Sequence, residues 1–515
     1  MDQYESLKTE ENVCRQISAL LDYAEEKKLI RKSDRVYCAN LLCDDMRQSS
    51  FAPVPAENGE RPELHKILSA LCGAAVERGI IPAGTAASDR FDTKLMGRLT
   101  PFPSDVIRRF RKLHKKDPQA ASDYYYRLAR DTNYIRTDRV SKDLKWSVGS
   151  VYGDIDISIN LSKPEKDPRD IAAAKNAPQT DYPLCLLCHE NEGFAGDPLR
   201  PARQTLRQIP FRLGGERWYM QYSPYVYYNE HCIVLSSAHS PMSITRKTFV
   251  RMFDFITEMP HYFIGSNADL PIVGGSILSH DHMQGGRYVF PMERAGIDAT
   301  FDIPGYPGIT AGTVSWPMSV IRLRSASPDG LVDAADRLLA CWRVYSDPEA
   351  GIFCETDGVP HNTVTPIARR RGTDYELDLV LRNNITSAEH PMGVFHPHAD
   401  KHNIKKENIG LIEVMGLAIL PARLKNEMSR LAELIESGRT DEIGGDPICG
   451  KHEEWYRSFR AKYEGSGISA EKMLREEIGA TFVKVLEDSG VYKTGAEGRV
   501  AFNRFINHFI STIKQ

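Results

Sequence analysis

Gly274-Gly275-Ser276-Ile277-Leu278-Ser279-His280-Asp281-His282-Met283-Gln284-Gly285-Gly286-Arg287 is the stretch of this chain richest in chemistry. If His280 to Gln284 runs extended, the two-residue alternation of a strand puts His280, His282 and Gln284 on one face. Glycine pairs flank the stretch and let backbone come close to a ligand. A glycine-rich turn ahead of it can also aim N–H groups at phosphate. Two imidazoles and one neutral amide along such a groove suit an anion. The plainer alternative is two histidines in an ordinary strand between glycine turns.

Strand patterns surround this centre. Residues 146–152 read as strand, and Ile155-Asp156-Ile157-Ser158-Ile159-Asn160-Leu161 alternates with a period of two. Further strands are expected at 217–221, 231–236, 287–290, 320–323, 362–368, 377–381 and 392–396, with helices between them at 244–258 and 331–345. Residues 150–410 therefore form a mixed α+β body. Ahead of it, residues 1–50 repeat Ile17, Leu20, Leu21, Tyr23 and Ala24 at helical spacing, and 60–130 carry a second stripe through Leu64, Ile67, Leu68, Leu71 and Cys72. This quarter shows no chemistry and reads as an accessory helical layer. The last hundred residues turn helical again, over 408–436 with a kink or break at Pro421, then from 472 onward.

Composition limits the classes of function. The chain has 515 residues, enough for about three domains of roughly 150 residues. Lys and Arg total 66 against 69 Asp and Glu, a formal net charge of −3, which argues against coating nucleic acid through bulk positive charge. No apolar run approaches the roughly 18 residues of a spanning helix, and Met1-Asp2-Gln3-Tyr4-Glu5 is too polar and acidic for a secretory signal. Ten cysteines are too few for a disulfide scaffold in a chain this long, so reduced thiols in a cytoplasmic enzyme are expected. Eleven of the fifteen histidines fall between His189 and His402, inside the mixed body.

His280-x-His282-x-Gln284 resembles the active-site strand of the histidine-triad superfamily in its transferase branch, whose hydrolase members carry a third His in place of the Gln. More closely, Ser279-His280-Asp281-His282-Met283-Gln284-Gly285-Gly286 resembles the galactose-1-phosphate uridylyltransferase family in its second, long bacterial type. Tyr134-Ile135-Arg136-Thr137-Asp138-Arg139, Ser162-Lys163-Pro164-Glu165-Lys166, His361-Asn362-Thr363-Val364-Thr365-Pro366 and Phe395-His396-Pro397-His398 support the likeness, which runs from about residue 130 to the C-terminal helices. The first type of that family carries Asn-Pro-His-Pro-His-Gly-Gln, so the two histidines sit here in a changed setting. The resemblance implies a duplicated, histidine-triad-like mixed sheet body with N- and C-terminal helical additions. It divides the chain into an accessory region (1–130), an N-terminal half with the catalytic strand (131–300), a C-terminal half (301–425) and a helical extension (426–515).

The resemblance also implies chemistry. His282 would attack the α-phosphorus of UDP-glucose, release glucose 1-phosphate and pass the uridylyl group to galactose 1-phosphate, with ping-pong kinetics. Gln284 would donate a hydrogen bond to a non-bridging oxygen. An amide does this without supplying a proton or activating water, so transfer is favoured over hydrolysis. Lys163 and Lys166 resemble an Arg pair that holds phosphates in the first type, although a solvated turn of mixed charge beside Asp167 would look the same. Asn267 and Ser276 loosely match an Asn and a Ser near the uridylyl phosphates.

Cys185-Leu186-Leu187-Cys188 is a pair of thiols at a spacing that chelates zinc well. By resemblance, His231 at a strand opening and His280 would complete a closed, structural Cys₂His₂ site, with His239 at the far end of the same strand as the weaker choice. The alternative leaves the thiols free, His231 as a satisfied strand residue and His189 exposed. A second cluster, His361, His396 and His398 with Glu293, resembles a second metal site; a hydrogen-bonded His pair at a domain interface is the competing account. His390 and His402 are expected to be exposed. Two His-x-His strands would suggest internal duplication. Expected partners are UDP-glucose and galactose 1-phosphate, with no nucleic acid, no membrane and a homodimer allowed. A dinucleotide phosphorylase of the same superfamily is the nearest alternative, and a catalytically silent nucleotide- or metal-binding protein the alternative from another class.

Overall fold

A computed structural model describes residues 3–54, 62–161 and 181–514. Lys163 and Lys166 lie outside the described residues. The chain divides into two compact units, Met1–Ser141 with Ser162–Phe211 and Tyr219–Val226, and Lys142–Leu161 with Arg212–Trp218 and Tyr227–Gln515.

The first unit is helical, as the periodicity predicts. Its longer helices are Gln3–Glu26, Arg35–Asp45, Leu64–Glu77, Thr85–Leu99, Pro103–His114 and Pro118–Asp131. The expected stripes, Ile17, Leu20, Leu21 and Ala24 with Ile67, Leu68 and Leu71, are buried. Asp117 caps the last of these helices by accepting from Gln119 N at 2.9 Å, with Pro118 as its first residue. The stretch Tyr134 to Arg139 has a structural job here. Arg136 makes a two-pronged pair with Asp92 (2.6 and 2.7 Å), and Arg139 another with Asp89 (2.8 and 2.6 Å), fastening that turn to helix Thr85–Leu99. Arg98 on the same helix reaches Asp45 in the same way.

The strands in chain order are β1 (Leu144–Ser150), β2 (Gly153–Ile159), β3 (Ile209–Leu213), β4 (Glu216–Tyr222), β5 (Cys232–Ser236), β6 (Phe263–Gly265), β7 (His282–Gly286), β8 (Ile297–Phe301), β9 (Thr310–Val314), β10 (Val320–Ser325), β11 (Glu355–Thr356), β12 (Val359–Pro360), β13 (Asn362–Arg371), β14 (Asp374–Asn383) and β15 (Leu417–Leu420). Among the described residues they make a ten-stranded sheet ordered β3-β4-β5-β7-β6-β13-β14-β10-β9-β8, a three-stranded sheet β1-β2-β15, and the β11-β12 hairpin. The fold class is α+β.

In the second unit one core joins the inward residues of β2 (Ile155, Ile157, Ile159) to Val320, Ile367 and Val380 of the large sheet, Leu411 and Val414 of the following segment, and Leu474, Ile478 and Phe482 of helix Ala470–Ser489. Helices Arg246–Glu258 and Pro328–Arg343 each pack on β13 and on one another, burying Phe249, Phe253, Leu338 and Trp342. Trp342 Nε1 donates to Thr363 O at 2.9 Å.

Three expectations are corrected. Residues 287–290 are not a strand, because β7 ends at Gly286. Residues 392–396 form turns, with Pro391, Gly393 and Pro397 interrupting any ladder, so His396 and His398 share no strand face and the suggested second His-x-His strand is absent. Residues 408–436 are not one helix. A short helix, Leu411–Val414, leads into β15, which pairs in parallel with β2, and only then does helix Arg423–Glu436 begin. No helix among the described residues is long and apolar enough to cross a membrane.

Candidate active site

Strand β7 lies between β5 and β6, antiparallel to both, with Leu235 opposite His282, Ile233 opposite Gln284 and Gly265 opposite Gln284 on the other side. Only His282 and Gln284 of the predicted trio belong to the strand; His280 stands just before it in a bend. The last residue, Gly286, has φ +153°, and a Cβ there would sit 2.7 Å from Glu230 O and 2.9 Å from the Tyr228 ring, so only glycine fits.

His282 is 6 % exposed, and its Nδ1 lies 2.8 Å from His280 O. The carbonyl can only accept, so Nδ1 carries the proton and Nε2 keeps its lone pair. Burial lowers the affinity of this ring for a second proton. The arrangement is a neutral imidazole, oriented by its own chain, with one free basic nitrogen and no other hydrogen bond among the described residues. Its neighbour Asp281 pairs with Arg251 at 3.1 Å, and burial raises its carboxyl to about 6.

Gln284 Oε1 lies 3.0 Å from Nε2 of His231, while its Nε2 has no partner among the described residues. Asn267 is buried; its Oδ1 accepts from Leu411 N at 2.9 Å. Asn267 follows the end of β6, whose last residue, Gly265, faces Gln284. A Cβ on Gly275 would come within 2.8 Å of Asn267 Nδ2, which explains one glycine of the pair, and Ser276 next to it is exposed.

The predicted thiol pair sits on a turn. Cys185 Sγ and Cys188 Sγ are 3.5 Å apart, and Asn191 Nδ2 donates to both Cys185 O and Cys188 O at 2.8 Å. His280 is 1 % exposed and its Nε2 donates to Ser236 O at 2.9 Å, which leaves Nδ1 as the nitrogen able to ligate. The His239 ring meets it edge-on, centroids 4.9 Å apart. One ligand atom each from Cys185, Cys188, His239 and His280 lies within 4.8 Å of the others. Two sulfurs and two imidazole nitrogens this close suit a tetrahedral metal ion. The expected fourth member, His231, is not in the group, and His239 takes its place.

Models of the galactose-1-phosphate uridyl transferase N-terminal and C-terminal domains match residues 34–241 and 256–445. A galactose-1-phosphate uridylyltransferase of Fusobacterium nucleatum subsp. nucleatum is 51% identical over 503 residues, covering 96% of this chain and 99% of that protein. One of Clostridium acetobutylicum is 49% identical over 498 residues, with 96% and 99% covered. The chain belongs to the galactose-1-phosphate uridylyltransferase family. That membership makes it a nucleotidyltransferase. The crystal structure of yeast Ap4A phosphorylase Apa2 aligns with 60% of this chain and 90% of its own at 12% identity, with a TM-score of 0.29, too slight a likeness to build on.

The second predicted cluster does not assemble. His361 bonds Asn384 Oδ1 at 2.8 Å and Thr356 Oγ1 at 2.9 Å. His396 faces Asn408 Oδ1 at 3.3 Å; His398 lies 3.5 Å from Asp488 and stacks on His390. Glu293 pairs with Arg371 at 3.2 Å. Among the described residues no second group of metal-ligating side chains forms. His390 and His402 are half-buried rather than exposed, His402 Nε2 donating to Pro397 O at 2.9 Å. His189 is likewise half-buried, stacked on Tyr219 with centroids 3.9 Å apart. The pairing of His231 with Gln284 went unread in the sequence, although antiparallel pairing of the 231–236 strand with the catalytic strand would have suggested it.

Proposed function

We propose that this protein transfers a uridylyl group from UDP-glucose to galactose 1-phosphate, giving UDP-galactose and glucose 1-phosphate, through a covalent intermediate on His282 Nε2. The observation that carries this reading is the His282 ring, whose Nδ1–H is held 2.8 Å from His280 O and whose Nε2 has no partner among the described residues. A buried neutral imidazole fixed in this tautomer is a nucleophile ready for phosphorus. His282 Nε2 forms a bond to the α-phosphorus as the bond to the glucose 1-phosphate oxygen breaks. A phosphate oxygen of galactose 1-phosphate then attacks the same phosphorus, breaks the P–N bond and leaves His282 neutral again. Gln284 Nε2 donates to a non-bridging oxygen in both steps.

Lys163, Lys166, Asn267 and Ser276 are proposed to bind the phosphates. Cys185, Cys188, His239 and His280 are proposed to hold one zinc ion, supported by their donor set and spacing. Such an ion is structural when bound: four protein ligands close its coordination and leave no position for substrate. Through His280 it would anchor the backbone two residues before the nucleophile.

The test is formation of UDP-galactose from UDP-glucose and galactose 1-phosphate. Wild type should turn over, and His282→Gly should fall to background while keeping its circular dichroism spectrum. Turnover retained in His282→Gly would remove it as nucleophile, and wild type that binds UDP-glucose without turnover would indicate a silent binder.

A further inference from the structure

A carboxamide has nearly the same shape at both ends, yet catalysis by Gln284 needs its NH₂ and not its oxygen to face the phosphoryl group. An oxygen turned toward an anionic phosphoryl centre would repel it. Something must fix which way the amide points. Within β5 and β7, Ile233 stands opposite Gln284, so His231 lies two residues further along the same side. Its Nε2 is 3.0 Å from Gln284 Oε1. The ring is 3 % exposed and lies against Tyr228 and Tyr227, with centroids 4.5 and 5.4 Å away. Burial pushes its pKa down to about 4, so the ring carries one proton.

The surroundings of the ring decide where that proton sits. His231 Nδ1 is buried and has no partner among the described residues. A proton there would be a buried unsatisfied N–H, a costly and rare situation. A proton on Nε2 meets an acceptor only if Gln284 presents its oxygen. Ring and amide therefore settle together, with Nε2–H donating to Oε1 and the Gln284 NH₂ turned away from His231. Gln284 is half-buried and its Nε2 has no partner among the described residues, so the donor is free for substrate.

We infer that His231 is a positioning residue that locks the Gln284 amide with its NH₂ toward the transferred phosphoryl group. This rests on the uridylyl-transfer reading above, and the experiment keeps the two apart. The rate at which wild type becomes uridylylated by UDP-glucose is measured first; no adduct there counts against that reading and leaves His231 without a catalytic partner to position. His231→Phe keeps a flat ring between the tyrosines and removes the N–H. It is expected to form the adduct about 10- to 100-fold more slowly, with KM for UDP-glucose changed less than about twofold. His231→Gln, whose own amide can donate to Oε1, should recover most of the rate. The double variant His231→Phe/Gln284→Ala should be no slower than Gln284→Ala alone, since a lock has no function without the amide it holds. A wild-type rate in His231→Phe, or losses that add in the double variant, would overturn the inference. Should the Phe variant not fold, ¹⁵N spectra of histidine-labelled wild type decide the matter: a proton on Nε2 of His231 is expected, and a proton on Nδ1 would refute the lock.

Discussion

At the scale of single residues, His231 and His239 carry opposite lessons. His231 stands just before β5 and His239 three residues past its end, and resemblance favours His231 as the zinc ligand. The register explains why the structure prefers the other. β5 and β7 run antiparallel, so the beginning of β5 meets the end of β7: Cys232 stands opposite Gly285, and Leu235 opposite His282. His280, ahead of β7, can only meet residues just past the end of β5, and His239 is one of these. His231 instead reaches Gln284. Resemblance named the right residue types; strand direction, which a one-dimensional pattern does not state, sorted them. If zinc is bound as proposed, metal analysis of purified protein should find about one ion per chain. His239→Ala or Cys185→Ser should lower that content and the melting temperature, whereas His231→Phe should leave the content unchanged. Zinc lost in His231→Phe but kept in His239→Ala would reverse the assignment.

At the scale of elements, the clearest case is the charged strip across β10, β14 and β13. Arg322 stands opposite Asp378, and Arg369 opposite Glu376. All four are buried. Asp378, 0 % exposed, accepts from Arg322 at 2.7 and 2.9 Å and from Arg369 at 2.7 Å, while Arg369 Nε donates to Glu376 Oε1 at 2.7 Å. Removing one member of such a network leaves buried charge uncompensated. Asp378→Ala should therefore cost about 3–5 kcal/mol in denaturant unfolding, a penalty larger than the worth of the network against an apolar replacement. Burial alone would raise the Asp378 carboxyl, but Arg369 and Arg322 hold it below its ordinary value. Its contribution is thus present above the unfolded carboxylate value of about 3.9 and fades as pH falls through the lower folded value. Wild type and Asp378→Ala should converge in stability toward that acid limit; a difference independent of pH would deny the pairing its role. At 392–396 an expected strand gives way to turns, because Pro391, Gly393 and Pro397 interrupt any ladder.

At the scale of the whole molecule, the α+β class, the N-terminal helices and the mixed body were legible because periodicities of 3.6 and 2 survive over long stretches. Contact between distant segments stayed hidden. The Tyr134 to Arg139 stretch supported the family resemblance but carries ion pairs to Asp89 and Asp92 that no local pattern announces. β15 was concealed because a four-residue strand between two helical patterns is too short to show a period. Yet the chemistry proposed for the protein depends on very few atoms, and the most direct test addresses one of them. The intact-protein mass should be measured after mixing with UDP-glucose in the absence of acceptor. A gain of one uridylyl group on His282, discharged by galactose 1-phosphate and absent from His282→Gly, is the predicted result. An unchanged mass with UDP-glucose bound, or a gain that persists in His282→Gly, would contradict transfer through this histidine.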